Sequence, residues 1–520
     1  MAVSIAEERA TAIAHDSLPR RPRGRVLDPL AVAVLAAVVS GAAAGRPSLW
    51  FDEGATISAA ASRSLPQLWR LLGHIDAVHG LYYLLMHGWF AVFPPTEFWS
   101  RVPSALAVGA AAAGVVVFAK RFATRTTAVC AGVVFAILPR VTWAGIEARP
   151  YALEAAAAVW LTVLLVASVR RNRWWLWTLY ALALMLSILL SINLSLLVLV
   201  YAAALAVLPR GKSAVRRWAV TSVAALGIMT PFMVFAHSQV WQVRWISTLK
   251  RSLFLDVVHR QYFDHSVPFA ILTGVVVVAA IVVRLIGRRV PTADTRRLLI
   301  ICAAWITIPT GVVLIYSAIG EAIYYPRYLI LTAPAAAIVV AVCITTIARR
   351  PGAAAAVVLL LAAAAFPNYL FTQRGLYAKE GWDYSQVADL IGTHAKPGDC
   401  LLVDNTVGWL PGPIRALLAT RPAAFASLAD IERGARGPEY GHLWDGHVAV
   451  WLVLPRLEKC ATVWTISSRD KTLPDHQSGR SLPPGPLLGH APVYQFAGEL
   501  GFHIVERWQF HRAQVVELTR

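Results

Sequence analysis

The chain has 520 residues, 57% of them hydrophobic and only 15% charged, and carries a net charge of +19. The basic excess does not mark a nucleic-acid binder: outside the C-terminal part, many Lys and Arg fall in short clusters between apolar runs, the positive-inside pattern. Several runs approach or exceed the roughly 18 residues of a spanning helix, so the expected class is an α-helical polytopic membrane protein.

Residues 1–27 are expected to form a cytoplasmic tail, with Arg20, Arg21, Arg23 and Arg25 ahead of the first span. That span, 27–45, is read as an uncleaved helix rather than a signal peptide because many spans follow it. It delivers Trp50-Phe51-Asp52-Glu53 to the outer membrane–water boundary. Residues 46–100 form one long external loop. Within it, 79–93 is apolar but short, carries His79 and His87 and ends at Pro94-Pro95. Such a stretch lies along the interface rather than across the bilayer.

The next spans are 102–119, 127–143, 151–169, 175–190, 194–208, 218–236, 268–286, 298–317, 328–347 and 353–369. Between them fall the clusters Lys120, Arg121 and Arg125; Arg170, Arg171 and Arg173; Arg210, Lys212, Arg216 and Arg217; and Arg288, Arg289, Arg296 and Arg297. With eleven spans, each inferred cytoplasmic loop is basic. Were 79–93 a twelfth span, every later cluster would face outward.

An odd number of spans leaves 371–520 outside, a length suited to one domain. Strand-like runs at 401–403, 448–454 and 462–466 alternate with a helical pattern at 384–393, which predicts a small extracytoplasmic α/β domain. The Pro/Gly-rich stretch 482–492 reads as loop. Cys400 and Cys460 lie in this domain and can pair if it faces an oxidising compartment. Cys130, Cys302 and Cys343 sit in apolar runs as small core residues. The sequence has no Gly-rich phosphate loop and no zinc-type Cys/His spacing.

Three charged groups recur on the outer side: Asp52 and Glu53, with Asp76 and His79 in the same loop; Glu147-Ala148-Arg149-Pro150-Tyr151; and 321–328, ending Pro326-Arg327-Tyr328. Ionisable groups at a membrane boundary cost free energy unless paired or serving a cavity. Their chemistry is complementary, since arginines bind phosphate bidentately and a carboxylate accepts the proton of an attacking hydroxyl. Trp50, Tyr82, Tyr83 and Trp89 suit sugar faces and interface anchoring alike.

The order Trp50-Phe51-Asp52-Glu53, Asp76-Ala77-Val78-His79-Gly80-Leu81-Tyr82-Tyr83, Ser100-Arg101-Val102-Pro103, Glu147-Ala148-Arg149-Pro150-Tyr151 and Pro326-Arg327-Tyr328 resembles the GT-C membrane glycosyltransferases. The branch it resembles contains protein O-mannosyltransferases and aminoarabinose transferases. The likeness covers 28–370 and omits the C-terminal domain. It implies a GT-C-type transmembrane domain and an inverting glycosyltransferase that takes mannose or arabinose from a polyprenyl-phosphate donor. The acceptor would be a glycan, glycolipid or protein of the cell envelope. It makes Asp52 the general base with Glu53 as supporting acid, and puts Arg149 and Arg327 on the donor phosphate. Asp76, His79, Tyr82, Glu147 and Tyr328 would support them. Some relatives use a divalent cation, for which Asp52, Glu53, Asp76 and His79 are the candidate ligands. Where the family has His-Pro-Pro-Leu-Tyr, this chain has His79-Gly80-Leu81-Tyr82. A transporter or lipid-linked sugar flippase is the competing reading. It calls for internal repeats and charges near the midplane, whereas here no repeat is evident and the charges cluster at outer span ends.

Overall fold

The computed structural model describes residues 24–246, 253–287, 291–403, 411–469, 480–482 and 490–520. Among these, seven helices are long and apolar enough to cross a membrane, from Glu97–Ala119 to Pro351–Thr372. Four shorter apolar helices, Val26–Gly41, Arg125–Ile137, Trp174–Leu190 and Ile192–Val207, join them. The structure thus has a helix at each of the eleven places where the apolar runs predict a span.

Helix α1, Gly24–Gly41, packs along a helix that begins far across the external loop. The loop itself holds α2, Phe51–Ala60, α3, Leu65–His74, and α4, Gly80–Phe90. Then come α5, Glu97–Ala119, the partner of α1, and α6, Arg125–Ile137. Thr96 and Thr124 cap α5 and α6 by accepting hydrogen bonds from Trp99 N and Thr127 N, satisfying amides that a helix start leaves open. Small residues bring the spans together, as bilayer packing requires. At Gly109 a Cβ would lie 2.7 Å from the Ala33 carbonyl oxygen, so only glycine lets α1 and α5 approach this closely. Helix α4 has 11 residues, too few to span, and packs on α2.

The basic loops meet at one end. Lys120 and Arg125 both pair with Asp28 at the start of α1, at 2.5 and 2.7 Å, and Arg170 donates to the Arg121 carbonyl. The external loop and the C-terminal domain meet each other elsewhere. Ser48 N donates to Leu376 O at 2.8 Å, Arg421 pairs with Glu97 at 2.7 Å, and Arg63 donates to the carbonyls of His442 and Leu443. Loop and domain therefore share a face, as an odd number of crossings demands.

The C-terminal domain carries a six-stranded sheet in the order β2-β1-β3-β6-β5-β4. Its strands are β1 Cys400–Val403, β2 Ala429–Asp430, β3 Thr462–Ser468, β4 Arg480–Leu482, β5 His503–Gln509 and β6 Ala513–Thr519. β1 is parallel to β2 and β3, and the remaining pairs are antiparallel. Helix Tyr384–His394 forms where the pattern predicts it. Cys400 and Cys460 are joined by a disulfide, with Cα atoms 5.9 Å apart. The predicted strand at 448–454 does not form. Both edges of β1 are taken by β2 and β3, and the isolated bridge Arg433 with His447 ends just before the run begins. The run itself turns through Val450–Leu452 into Leu454–Leu457, where Pro455 has no amide to offer a ladder. Most of 482–492 lies outside the described residues.

Candidate active site

Trp50 is extended (φ −143°, ψ 179°) and starts α2, which puts Asp52 and Glu53 in its first turn, where the helix dipole favours negative charge. Neighbouring helical positions point about 100° apart, so the two carboxylates face different surroundings.

Glu53 turns inward. Its side chain is fully buried and receives Arg101 Nε and Nη2 at 2.7 and 2.6 Å, while Ala148 N donates at 3.1 Å. Arg101 in turn donates to the carbonyls of Ala44, Pro47 and Ser48. This pair ties the exit of α1, the start of α5 and the segment before Tyr151 into one hub.

Asp52 turns toward Arg327 and keeps 16% of its side chain exposed. Its Oδ2 lies 2.9 Å from Arg327 Nη2, and Glu380 reaches the other side of that guanidinium at 3.6 Å. Arg327 stands on the helical turn Pro326–Thr332. Trp50, Trp143, Tyr151, Trp245, Tyr325 and Tyr328 surround it, with ring centroids 4.8 to 6.0 Å from the guanidinium carbon. Such rings stabilise a desolvated cation and fix where its hydrogen-bonding edge points.

Arg149, on the segment before α7 (Tyr151–Arg171), heads a second chain. It donates to Tyr83 Oη at 2.9 Å, and Tyr83 donates to Asp76 Oδ2 at 2.7 Å. Arg149 also donates to His79 Nε2 at 3.1 Å. A guanidinium cannot accept, so the His79 proton sits on Nδ1, a buried atom with no hydrogen-bond partner. Burial, then Arg149 and Arg327, hold His79 well below its usual range, so the ring is neutral. Burial raises Asp76, against Arg149 and the Tyr83 hydroxyl. Asp76 has φ 60°, a left-handed conformation that Asp tolerates better than most residues. Tyr82 is buried beside Tyr83, with centroids 6.4 Å apart. Tyr328 stacks on Tyr151 at 6.2 Å.

Glu147 is fully buried. Trp50 Nε1 donates to it at 2.7 Å and Lys379 Nζ at 2.5 Å. Burial pushes Glu147 up to about 7 and lowers Lys379. The four expected cation ligands do not form a donor set. Glu53 is held by Arg101, Asp76 by Tyr83 and Asp52 by Arg327, and no group of three such residues that could hold a metal occurs among the described residues. The arrangement does not fit a resident divalent ion.

A cavity of about 450 Å³ opens beside Arg327, with Arg140, Arg260, Trp143, Trp245 and Tyr325 in its wall. Arg140 pairs with Asp264 at 3.0 Å and Arg260 with Asp256 at 2.8 Å. Sequence reasoning brings Asp52, Arg149, Arg327 and His79 to one region but assigns no role to Arg101, Lys379 or Glu380. Lys379 and Glu380 lie shortly after the last span, which ends at Thr372, and that position, a charged pair near a span exit, is the signal that could have found them.

No family model matches the sequence, and no curated protein matches it either. The fold is similar to ArnT from Cupriavidus metallidurans bound to undecaprenyl phosphate, with TM-score 0.56 and 15% identity over 95% of this chain and 98% of that one. The apo form of the same protein gives TM-score 0.54, 15% identity and the same coverage. A weaker likeness, TM-score 0.45 and 12% identity over 85% of this chain and 69% of that one, is to the Archaeoglobus fulgidus oligosaccharyltransferase tethered to an acceptor peptide. The chain has the GT-C fold, and the match over 95% of it takes in the C-terminal domain with its small sheet, which the sequence likeness leaves out.

Proposed function

We propose that the chain is an inverting glycosyltransferase that moves a sugar from a polyprenyl-phosphate donor to an extracytoplasmic acceptor of the cell envelope. The observation that carries this reading is the contact between Asp52 and Arg327 at the cavity mouth, 2.9 Å long. A donor phosphate entering there competes with Asp52 for the Arg327 guanidinium. Its arrival holds the leaving group and frees the carboxylate as base.

The acceptor hydroxyl oxygen attacks the anomeric carbon and its proton goes to Asp52. The bond from that carbon to the phosphate oxygen breaks, the electron pair leaves on the phosphate, and polyprenyl phosphate departs. Arg327 offsets the charge that appears there. Arg149, already oriented by Tyr83 and His79, adds a second cation, and the neutral His79 offers its Nδ1 proton as a donor. Glu53 acts as a positioning residue through Arg101. The neighbour bound to undecaprenyl phosphate supports a polyprenyl carrier. Mannose is the first sugar to try and arabinose the second. The basic loops and the disulfide of the C-terminal domain support a plasma-membrane protein with its N-terminus in the cytoplasm and that domain outside.

Purified protein incubated with radiolabelled polyprenyl-phosphate mannose or arabinose should consume one of them in the presence of envelope glycans. Failure to consume any polyprenyl-phosphate sugar would end the reading.

A further inference from the structure

A second cavity, of about 520 Å³, lies where the external loop meets the C-terminal domain. Its walls include Trp241, Trp444, His74, His442, His447 and Arg415, and none of these belongs to the site above. The cavity presents aromatic faces and hydrogen-bonding edges together. Trp241 is 50% exposed and Trp444 packs at a tilt against Phe51 with centroids 5.5 Å apart.

Two polar atoms in this wall are buried with no partner: His447 Nδ1 and Arg415 Nε. Arg415 is otherwise held by Asp430, so its charge is neutralised while one N–H remains unused. A buried donor left unpaired costs free energy, and a ligand oxygen removes that cost. His74 anchors Nδ1 on the Arg70 carbonyl at 2.9 Å.

The cavity also adjoins the proposed chemistry. Trp444 touches Phe51, the residue before Asp52. His74 and Ile75 lead directly into Asp76. Trp241 and Trp245 are one helical turn apart in sequence, one in each cavity wall. Asp52 is thus bordered by an arginine-rich cavity through Arg327 and by a histidine- and tryptophan-lined cavity through Phe51.

We infer that the second cavity is a saccharide subsite, in which an uncharged sugar unit of the acceptor lies against Trp241 and Trp444 with its hydroxyls on His442, His447 and Arg415. Apolar sugar faces stack on indole, and hydroxyls both donate to and accept from imidazole. Among the described residues the one guanidinium in the wall, Arg415, is already paired, so the wall selects hydroxyl oxygens rather than a second phosphate. The C-terminal domain then supplies acceptor recognition. The acceptor role rests on the glycosyltransferase reading; the binding of a saccharide does not.

The test uses the full-length protein in lipid nanodiscs, without donor, and titrates neutral mannotetraose and arabinotetraose by saturation-transfer NMR. One of them should bind saturably, and Trp241→Ala and His442→Ala should each weaken it roughly tenfold, as truncating a buried anchor does. Both side chains are largely exposed to the cavity, so an unchanged melting curve is expected and keeps the comparison clean. Absence of saturable binding of either tetrasaccharide, or binding by both variants as tight as the parent's, overturns the subsite. Binding without consumption of any polyprenyl-phosphate sugar would instead sink the enzyme reading and leave the subsite standing.

Discussion

Glu53 and Arg101 form a fully buried bidentate ion pair, at 2.6 and 2.7 Å, one residue from the partly exposed Asp52. Two carboxylates adjacent in sequence thereby acquire different work. One is locked into the scaffold and the other pairs with Arg327, which lines a cavity.

Glu53→Gln leaves the Arg101 charge buried without its counter-ion, and breaking such a pair costs about 3–5 kcal/mol. Thermal melting of the detergent-solubilised protein should show a large loss of stability. A Glu53→Gln protein as stable as the parent yet inactive would move the base role to Glu53.

Lys379 and Glu147 make the pH-dependent joint. Burial raises Glu147 from its ordinary 4.5 to about 7, so its protonated form is favoured in the fold. Its stabilising contribution is fully present below pH 4.5 and lost as pH rises through about 7. Lys379→Met removes the charge that holds Glu147 down, which pushes its pKa higher still. The variant should therefore lose more stability at pH 8 than at pH 5, read as the difference in melting temperature from the parent at each pH. An equal loss at both would contradict a buried, titrating Glu147.

Most of the architecture was legible in the sequence. Apolar runs placed every membrane helix, because a bilayer leaves backbone groups no partner but the helix itself. The gathering of Asp52, Arg149 and Arg327 at one end of the helices followed from counting crossings. Lys379 was hidden because its partner Glu147 lies 232 residues away, and no periodicity links a span exit to a distant loop. The run 448–454 misled because a short apolar stretch reads the same in a strand and in a half-buried helical turn. The split between Asp52 and Glu53 depended on which face of α2 meets Arg101, which only packing decides.

Single cysteines at Ser62 and Lys396, both exposed, should react with an impermeant thiol reagent applied from outside the cell. A cysteine at Lys212, in a basic loop, should react only after the membrane is opened. Outside labelling at Lys212 with protection of Lys396 would contradict the topology.

Arg327→Ala should weaken binding of polyprenyl phosphate by roughly ten- to a hundredfold, the value of a hydrogen bond to a charged group. Arg327→Lys should recover only part of this, since an ammonium lacks the planar fork. Calorimetric titration in nanodiscs reads both. Unchanged affinity in Arg327→Ala would place the phosphate elsewhere.

The most direct measurement is single-turnover transfer by Asp52→Asn, with donor binding measured in parallel. The substitution keeps the shape, removes the base and takes away the carboxylate that competes for Arg327, so donor binding should be kept or tightened while the rate falls on the order of 10²–10⁴-fold. Turnover near the parent rate in Asp52→Asn, with donor bound as before, would contradict the assignment of Asp52 as the base.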